Sequence, residues 1–244
     1  MGLIIDLGGS LPESSTLPTL EEVGYIPTDG LMGLWDFSGE STYLDDKSGG
    51  GWEITLGTGW SWENGILTAS SGDGLWSSDL LRGSAAAGGN VFTGICVHKS
   101  AKDGISRLFT SGGNRGIHGN RQQRQAVPAH AGSGGGGFYQ YPGPQAPDKA
   151  YNDWVMYNYA CDGTNIYASA DDLAWGSGTE INAGGIYPLT SGSTVGLGSG
   201  NSGQETRGDF GLWAYWDRKL TDNELKAVYN AAKRIMKSKG VDSL

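Results

Sequence analysis

The chain has 244 residues, a length that one all-β sandwich can fill without a second domain and that buries a core without disulfide staples. Its formal net charge of −9 argues against a nucleic-acid binder held by phosphate contacts, which needs a basic face. The 43 glycines follow no G-X-Y period, which excludes collagen and leaves many short strands and turns as their use.

No run approaches 18 apolar residues, so no membrane-spanning helix is expected. The opening MGLIIDLGGSLPESS has no basic stretch ahead of its short apolar run, and Asp6 stands where myristoylation wants Ser or Thr. The expectation is synthesis in a cytoplasm, without a signal peptide. Cys96 and Cys161 lie 65 positions apart and read as buried free thiols in preference to a disulfide or a metal pair.

Residues 1–30 contain Leu11-Pro12, Leu17-Pro18 and Ile26-Pro27. Proline restricts the residue before it and removes a donor, so this stretch reads as an extended arm. A disordered terminus is the other reading. Leu3, Ile4, Ile5, Leu17, Leu20, Val23 and Ile26 give the arm apolar surface to dock with.

Strand signals start at Leu31–Phe37, where Leu31, Gly33, Trp35 and Phe37 would share one face. Leu44–Gly51 is a turn by composition. Further strands are expected at Trp52–Leu56, Gly65–Ala69, Val91–Lys99, Arg107–Thr110, Trp154–Tyr159, Asn165–Ala170, Thr194–Gly198 and Phe210–Trp216. Turn clusters at short intervals indicate a sandwich or barrel, without βαβ units. Residues 112–150 read as a long insertion rich in Gly, Pro, Arg and Gln, with weak strands near Gly116–His118 and Phe138–Tyr141.

One helix is expected over 221–239. Thr221 and Glu224 have the T-x-x-E spacing of a capping box. Leu225, Val228, Tyr229, Ala232, Ile235 and Met236 recur along one helical face. Lys233, Arg234, Lys237 and Lys239 crowd the end, where cations suit the dipole, and Gly240 suits the position just beyond it.

Four segments in order resemble the concanavalin A-like lectin/glucanase superfamily, in its laminin-G-like jelly-roll branch. Gly33–Phe37 with Asp45–Gly51 resembles the opening strand and the D-x-S-G-x-G turn. Phe92–Lys99 is similar to the F-T-I-S-A-W-V-K strand. Trp154–Tyr157, Tyr159–Thr164 and Ile166-Tyr167 resemble the W-H-x-V-A…Y-D-G-T…L-Y-V-D-G hairpin. Gly208–Trp213 with Trp216–Leu225 resembles the closing strand and the L-S-x-x-E start of the helix. The resemblance covers roughly residues 31–230. It implies an all-β, concanavalin A-like antiparallel sandwich with an extended N-terminal arm (1–30) ahead of the sandwich (31–244) and one C-terminal helix. Domains of this style, with an added arm and a lengthened last helix, look like those of tailed-phage virion proteins.

This fold hosts lectins, enzymes and adhesion modules, so function must be argued from sites. The E-x-D-x-x-E strand of the glucanase members is absent, and Glu53 and Glu63 do not replace it. His98, His118 and His130 accompany no G-x-S-x-G elbow. No catalytic residue is therefore expected. The resemblance implies that one calcium can bind at the rim of such domains; Asp36, Asp45, Asp46 and Asp209 stand nearest the matching turns, although turn aspartates more commonly make Asx-turns. His118-Gly119-Asn120-Arg121 resembles part of the galectin H-x-N-x-R strand, but its arginine comes one residue early and the partner strand is missing. Arg115, His118, Arg121, Arg124, Tyr139 and Tyr141 remain a candidate glycan or partner surface, with Trp60, Trp62 and Trp76 as a second. Arg207-Gly208-Asp209 spells an integrin-type tripeptide by chance.

The expectation from sequence is a non-catalytic virion component, capsid-decorating or tail-associated, that docks through its arm and forms a homo-oligomer, with a trimer as the guess. The alternative is a carbohydrate-binding adhesion module with a host glycan as partner, and the third reading is a glycoside hydrolase. Neither nucleic acid nor membrane is an expected partner.

Overall fold

The computed structural model of the chain describes residues 24–56, 58–70, 75–77, 91–101, 105–111, 117–122, 125–131, 138–140, 149–180, 195–198 and 206–244. Strands β1 (Leu31–Trp35), β3 (Trp60–Glu63), β4 (Ile66–Ala69), β6 (Val91–Ser100), β11 (Trp154–Asp162), β12 (Asn165–Ala170), β13 (Thr179–Glu180) and β15 (Gly208–Trp216) build the first sheet. Its order is β13-β12-β11-β6-β15-β4-β3. β4 pairs with β15 at Gly208–Phe210, and β1 takes the same edge further along, at Trp213–Trp216. The second sheet runs β10 (Phe138–Gln140), β9 (Gln125–Ala131), β8 (Ile117–Gln122), β7 (Ile105–Ser111), β14 (Val195–Leu197), β5 (Leu75–Ser77) and β2 (Ile54–Thr55). The pairings in both sheets are antiparallel. Helix α1 (Asp222–Ser238) is the one helix among the described residues.

The first sheet is covered on both faces. Trp35, Phe37, Leu67, Phe92, Cys96, Tyr157, Tyr159, Phe210, Trp213 and Tyr215 fill the layer between the sheets, where they meet Leu108 and Leu197 of the second sheet. Ile95, Val97, Trp154, Met156, Leu212, Ala214 and Trp216 point the other way and pack under Leu225, Val228, Ala232 and Met236 of α1. This explains why β6, β11 and β15 read as nearly continuous apolar runs: a strand buried on both faces has no polar side to alternate with. At the centre Trp35 stacks on Trp213, with centroids 4.5 Å apart and planes at 20°. Cys96 and Cys161 are buried free thiols on the inner face, as expected from their spacing.

A bulge in β15 fits the helix to the sheet. Phe210 pairs with His98 and Leu212 with Val97, which leaves Gly211 as the extra residue. A Cβ on Gly211 would lie 2.1 Å from the Met236 sulfur, so any other residue here forces the buried Met236 side chain to move. The helix starts with the expected capping box: the Glu224 amide donates to Thr221 Oγ1, and the Thr221 amide donates to Glu224 Oε2 at 2.8 Å. It ends in a Schellman motif, in which the Val241 amide donates to the Met236 carbonyl and the Gly240 amide to the Lys237 carbonyl, with Gly240 at φ +82°.

The last residues of the arm lie along the outside of α1. The Tyr25 amide donates to the Ala227 carbonyl, Arg234 donates to Gly24 O, and Trp216 Nε1 donates to Pro27 O. Ile26 packs into the cluster beneath the helix. Its side chain is half-buried there, so part of the apolar surface expected to dock a partner is used within its own domain. Leu3, Ile4, Ile5, Leu17, Leu20 and Val23 lie outside the described residues.

Two further readings change. The weak strands expected near 116–118 and 138–141 are β8 and β10, and the unexpected β9 joins them, so the stretch 112–150 supplies one end of the second sheet. Pro128 and the glycines masked this strand signal. In β1 a register shift between Leu31 and Gly33 moves Leu31 to the helix side, while Gly33 and Trp35 are buried; simple alternation had placed all three together.

Candidate functional site

Two depressions in the described surface carry polar groups without internal partners. The first is a cleft of about 510 Å³ lined by Leu44, Asp45, Asp46, Trp52, Glu53 and Thr55, with Gly51 and Ile54. It lies at the rim, between the turn after β1 and the short strand β2. Asp46 shapes it. Its Oδ1 accepts from the Leu34 amide at 3.0 Å and the Ser48 amide at 2.8 Å; its Oδ2 accepts from Ser48 Oγ at 2.8 Å and the Trp52 amide at 3.3 Å. The carboxylate thereby folds D-K-S-G-G-G-W into a loop and fixes the backbone of Trp52. Gly50 lets that loop close on Trp52, because a Cβ there would lie 2.5 Å from Trp52 Nε1. Trp52 is half-buried against the interlayer core. Asp45 and Glu53 are exposed, and neither carboxylate has a hydrogen-bond partner among the described residues. An aromatic side chain beside two open carboxylates can hold a ring with apolar faces and hydroxyl edges.

The second is a groove of about 450 Å³ lined by Glu63, Asn64, Ile66, Thr68, Asp209 and Lys239, on the helix side of the first sheet. A β3–β4 hairpin makes one wall. Asn64 and Gly65 form its turn at φ +50° and +80°, the two positive values of a type I′ turn. The stem of Lys239 lies across Gly65, 3.2 Å from where a Cβ would stand. The Lys239 ammonium then reaches in to donate to the carbonyls of Asp36 and of Gly211, the latter at 2.6 Å. Burial lowers its pKa to about 8. On the floor, Asp209 Oδ1 accepts from Thr68 Oγ1 at 2.8 Å.

The calcium candidates separate between these places. Asp36 turns its carboxylate back to Ser38, accepting from the amide at 3.0 Å and from Oγ at 2.7 Å. Asp46 is bound within its own turn, Asp45 lines the rim cleft, and Asp209 lines the groove. Among the described residues no three metal-ligating side chains converge. The oxygens of Asp36 and Gly211 that could have faced a cation already face the Lys239 ammonium.

Strand register divides the loop candidates. Arg121 pairs with Ala126 and Tyr139 with His130, positions of equal parity on β9, so Arg121 and Tyr139 share one face of the second sheet. His118 pairs with Ala129 and belongs to the opposite face. Arg121 and Tyr139 are offset by four residues along β9, about 13 Å. Arg115, Arg124 and Tyr141 lie outside the described residues. Trp60 and Trp62 pack into the core: Trp60 sits 5.5 Å from the Phe210 ring, and Trp62 donates to Phe37 O at 2.7 Å. His98 is fully buried with its ring 4.5 Å from that of Phe210. Sequence reading missed Lys239 as a site residue, and overlooked the Asn-Gly pair between Trp60–Glu63 and Ile66–Ala69 that signals the hairpin beside it.

No family model matches the chain, and no curated protein matches it by sequence. Solved structures do match in fold. The binding domain of botulinum neurotoxin DC, in complex with rat synaptotagmin II, aligns with a TM-score of 0.61 at 12% identity over 84% of this chain and 52% of that one. The binding domain of Paraclostridial Mosquitocidal Protein 1 aligns with a TM-score of 0.62 at 14% identity over 84% and 52%. Trypanosoma rangeli sialidase, in complex with 2,3-difluorosialic acid, aligns with a TM-score of 0.63 at 17% identity over 86% and 34%. The chain thus spans about half of the toxin binding domains and a third of the sialidase. At such identities the likeness is one of fold, and the fold is an antiparallel β-sandwich of lectin-like, jelly-roll type with a C-terminal helix.

Proposed function

We propose that this chain is a non-catalytic, glycan-binding β-sandwich that engages its ligand at the rim cleft. The observation that carries the reading is the placement of Trp52 beside the open carboxylates of Asp45 and Glu53, on a loop held rigid by Asp46. Rigid presentation lowers the ordering cost of binding. The fold neighbours support the same reading, since one is a binding domain in complex with rat synaptotagmin II and another is a sialidase in complex with 2,3-difluorosialic acid. Asp45 and Glu53 are exposed, unlike the enclosed acid that glycoside hydrolysis requires. The test is a glycan array followed by calorimetry. Trp52→Ala is expected to weaken the best binder by at least about tenfold, the scale of one lost stacking contact. An array without a hit, or a hit indifferent to Trp52→Ala, removes the reading.

A second level concerns where the module is displayed. We infer a virion surface, capsid or tail, with the chain assembled as a homo-oligomer, for which three copies is the working number. Residues 24–30 are pinned against α1, on the helix-covered face of the first sheet, and none of them lines the rim cleft. An antibody to the protein should label intact particles from the source, and deletion of residues 1–23 should abolish attachment. Protein found only free of particles overturns this level and leaves the glycan reading standing.

A further inference from the structure

The groove beside Lys239 shares no residue with the rim cleft and has its own built-in polar set. Lys239 carries three N–H donors; two reach the carbonyls of Asp36 and Gly211, and the third has no acceptor among the described residues. Because the ammonium is held at both ends, by its stem over Gly65 and by these carbonyls, the remaining donor is fixed in place. Asp209 accepts from Thr68 through Oδ1, and its Oδ2 has no donor among the described residues. Glu63 and the Asn64 amide are exposed at the mouth without internal partners among the described residues, and Ile66 supplies an apolar wall.

We propose that this groove is a second saccharide subsite, in which Asp209 Oδ2 accepts from one sugar hydroxyl and Lys239 donates to its neighbour. The inference rests on the reading of the domain as a glycan binder. Its ligand class is a neutral sugar ring. Among the lining residues two carboxylates, Glu63 and Asp209, outnumber the one ammonium, and with Lys99 opposite Asp209 on β6 the charges about the groove balance, so a carboxylated sugar gains no net attraction. A neutral ring instead satisfies both signs, because each hydroxyl both donates and accepts. Backbone atoms support both polar ends: Asp209 stands on β15 next to the bulge, and Lys239 caps α1, so the spacing between them is set by helix-on-sheet packing and not by a mobile loop.

The experiment is amide chemical-shift mapping on the full chain with free glucose, galactose, mannose and N-acetylglucosamine, each at millimolar concentration, with N-acetylneuraminic acid as the anionic comparison. The expected result is saturable shifts at Asn64, Gly65, Thr68, Asp209 and Lys239 with at least one neutral sugar and none with the acid. The same shifts should persist in Trp52→Ala. Asp209→Asn should weaken that titration by about tenfold, since one charge-assisted acceptor is removed without changing shape. Lys239→Met, which keeps the apolar stem, should do the same, and thermal unfolding of both variants verifies that they fold. Shifts confined to residues 44–55 overturn the subsite while leaving the rim-cleft reading intact. Shifts in neither place overturn both. Preferential binding of N-acetylneuraminic acid in the groove overturns the assignment of ligand class.

Discussion

Replacing Glu224 by alanine removes a helix cap and an ion pair in one step. Its Oε2 accepts from the Thr221 amide at 2.8 Å and from Arg218 Nη1 at 2.9 Å, while Oε1 accepts from Arg218 Nη2 at 2.6 Å. Arg218 also donates through Nε to Asp29 O at 2.9 Å and pairs with the Asp29 carboxylate at 3.1 Å. One side chain therefore links the start of α1, the end of β15 and the docked arm. Loss of the cap costs about 1 kcal/mol. A bidentate, charge-assisted pair adds about 1–2 kcal/mol once solvent screening is allowed for, with side chains 26% and 18% exposed. The expected destabilisation is about 2–3 kcal/mol. For a domain of this size that lowers Tm by roughly 4–12 °C. The effect must depend on pH. The Arg218 guanidinium and the Thr221 donors hold the Glu224 carboxyl down at about 2, from an ordinary 4.5. The folded state then binds fewer protons than the unfolded state between those values, so the stabilisation is complete above pH 4.5 and disappears as pH falls toward about 2. Tryptophan-fluorescence melts of wild type, Glu224→Ala and Glu224→Gln, taken from neutral pH downward, should converge in acid. A loss below about 0.5 kcal/mol, the scale of an ordinary surface substitution, or a gap that stays constant down to the lowest pH, refutes the reasoning.

Gly211→Ala places a methyl group against the Met236 thioether at the bulge; it should cost about 1–3 kcal/mol by overpacking, read as a lower urea midpoint with unchanged slope. Cys96 and Cys161 are 1% and 0% exposed, and burial pushes the Cys161 thiol up to about 12 and that of Cys96 higher still. Iodoacetamide at mildly alkaline pH should leave both unmodified in the native protein and alkylate both in urea; labelling of either native thiol at the rate of a free cysteine would show that the layer between the sheets opens.

Much of this protein was legible without coordinates, wherever the signal is local. The β12 bounds, the long apolar runs of β6, β11 and β15, and the capping box at Thr221 and Glu224 all follow from propensity and spacing within a few residues. Order and punctuation of those runs indicated a sandwich or barrel with a closing helix, and the resemblance of four segments to a known superfamily implied the antiparallel sandwich. Tertiary structure alone decided the rest. It alone shows that the first sheet is covered on both faces, because a continuous apolar run is equally compatible with several kinds of burial. Strand pairing alone separated His118 from Arg121 and Tyr139, since a side-chain period of two makes register decide the face. The candidate sites belong to the same category. Lys239 reads in sequence as one more basic residue at a helix end; it becomes a half-buried donor only because the bulge at Gly211 and the turn at Gly65 bring residues 63–68, 209 and 239 together. Groups so far apart along the chain carry no mutual spacing signal, and only the packing of helix on sheet joins them.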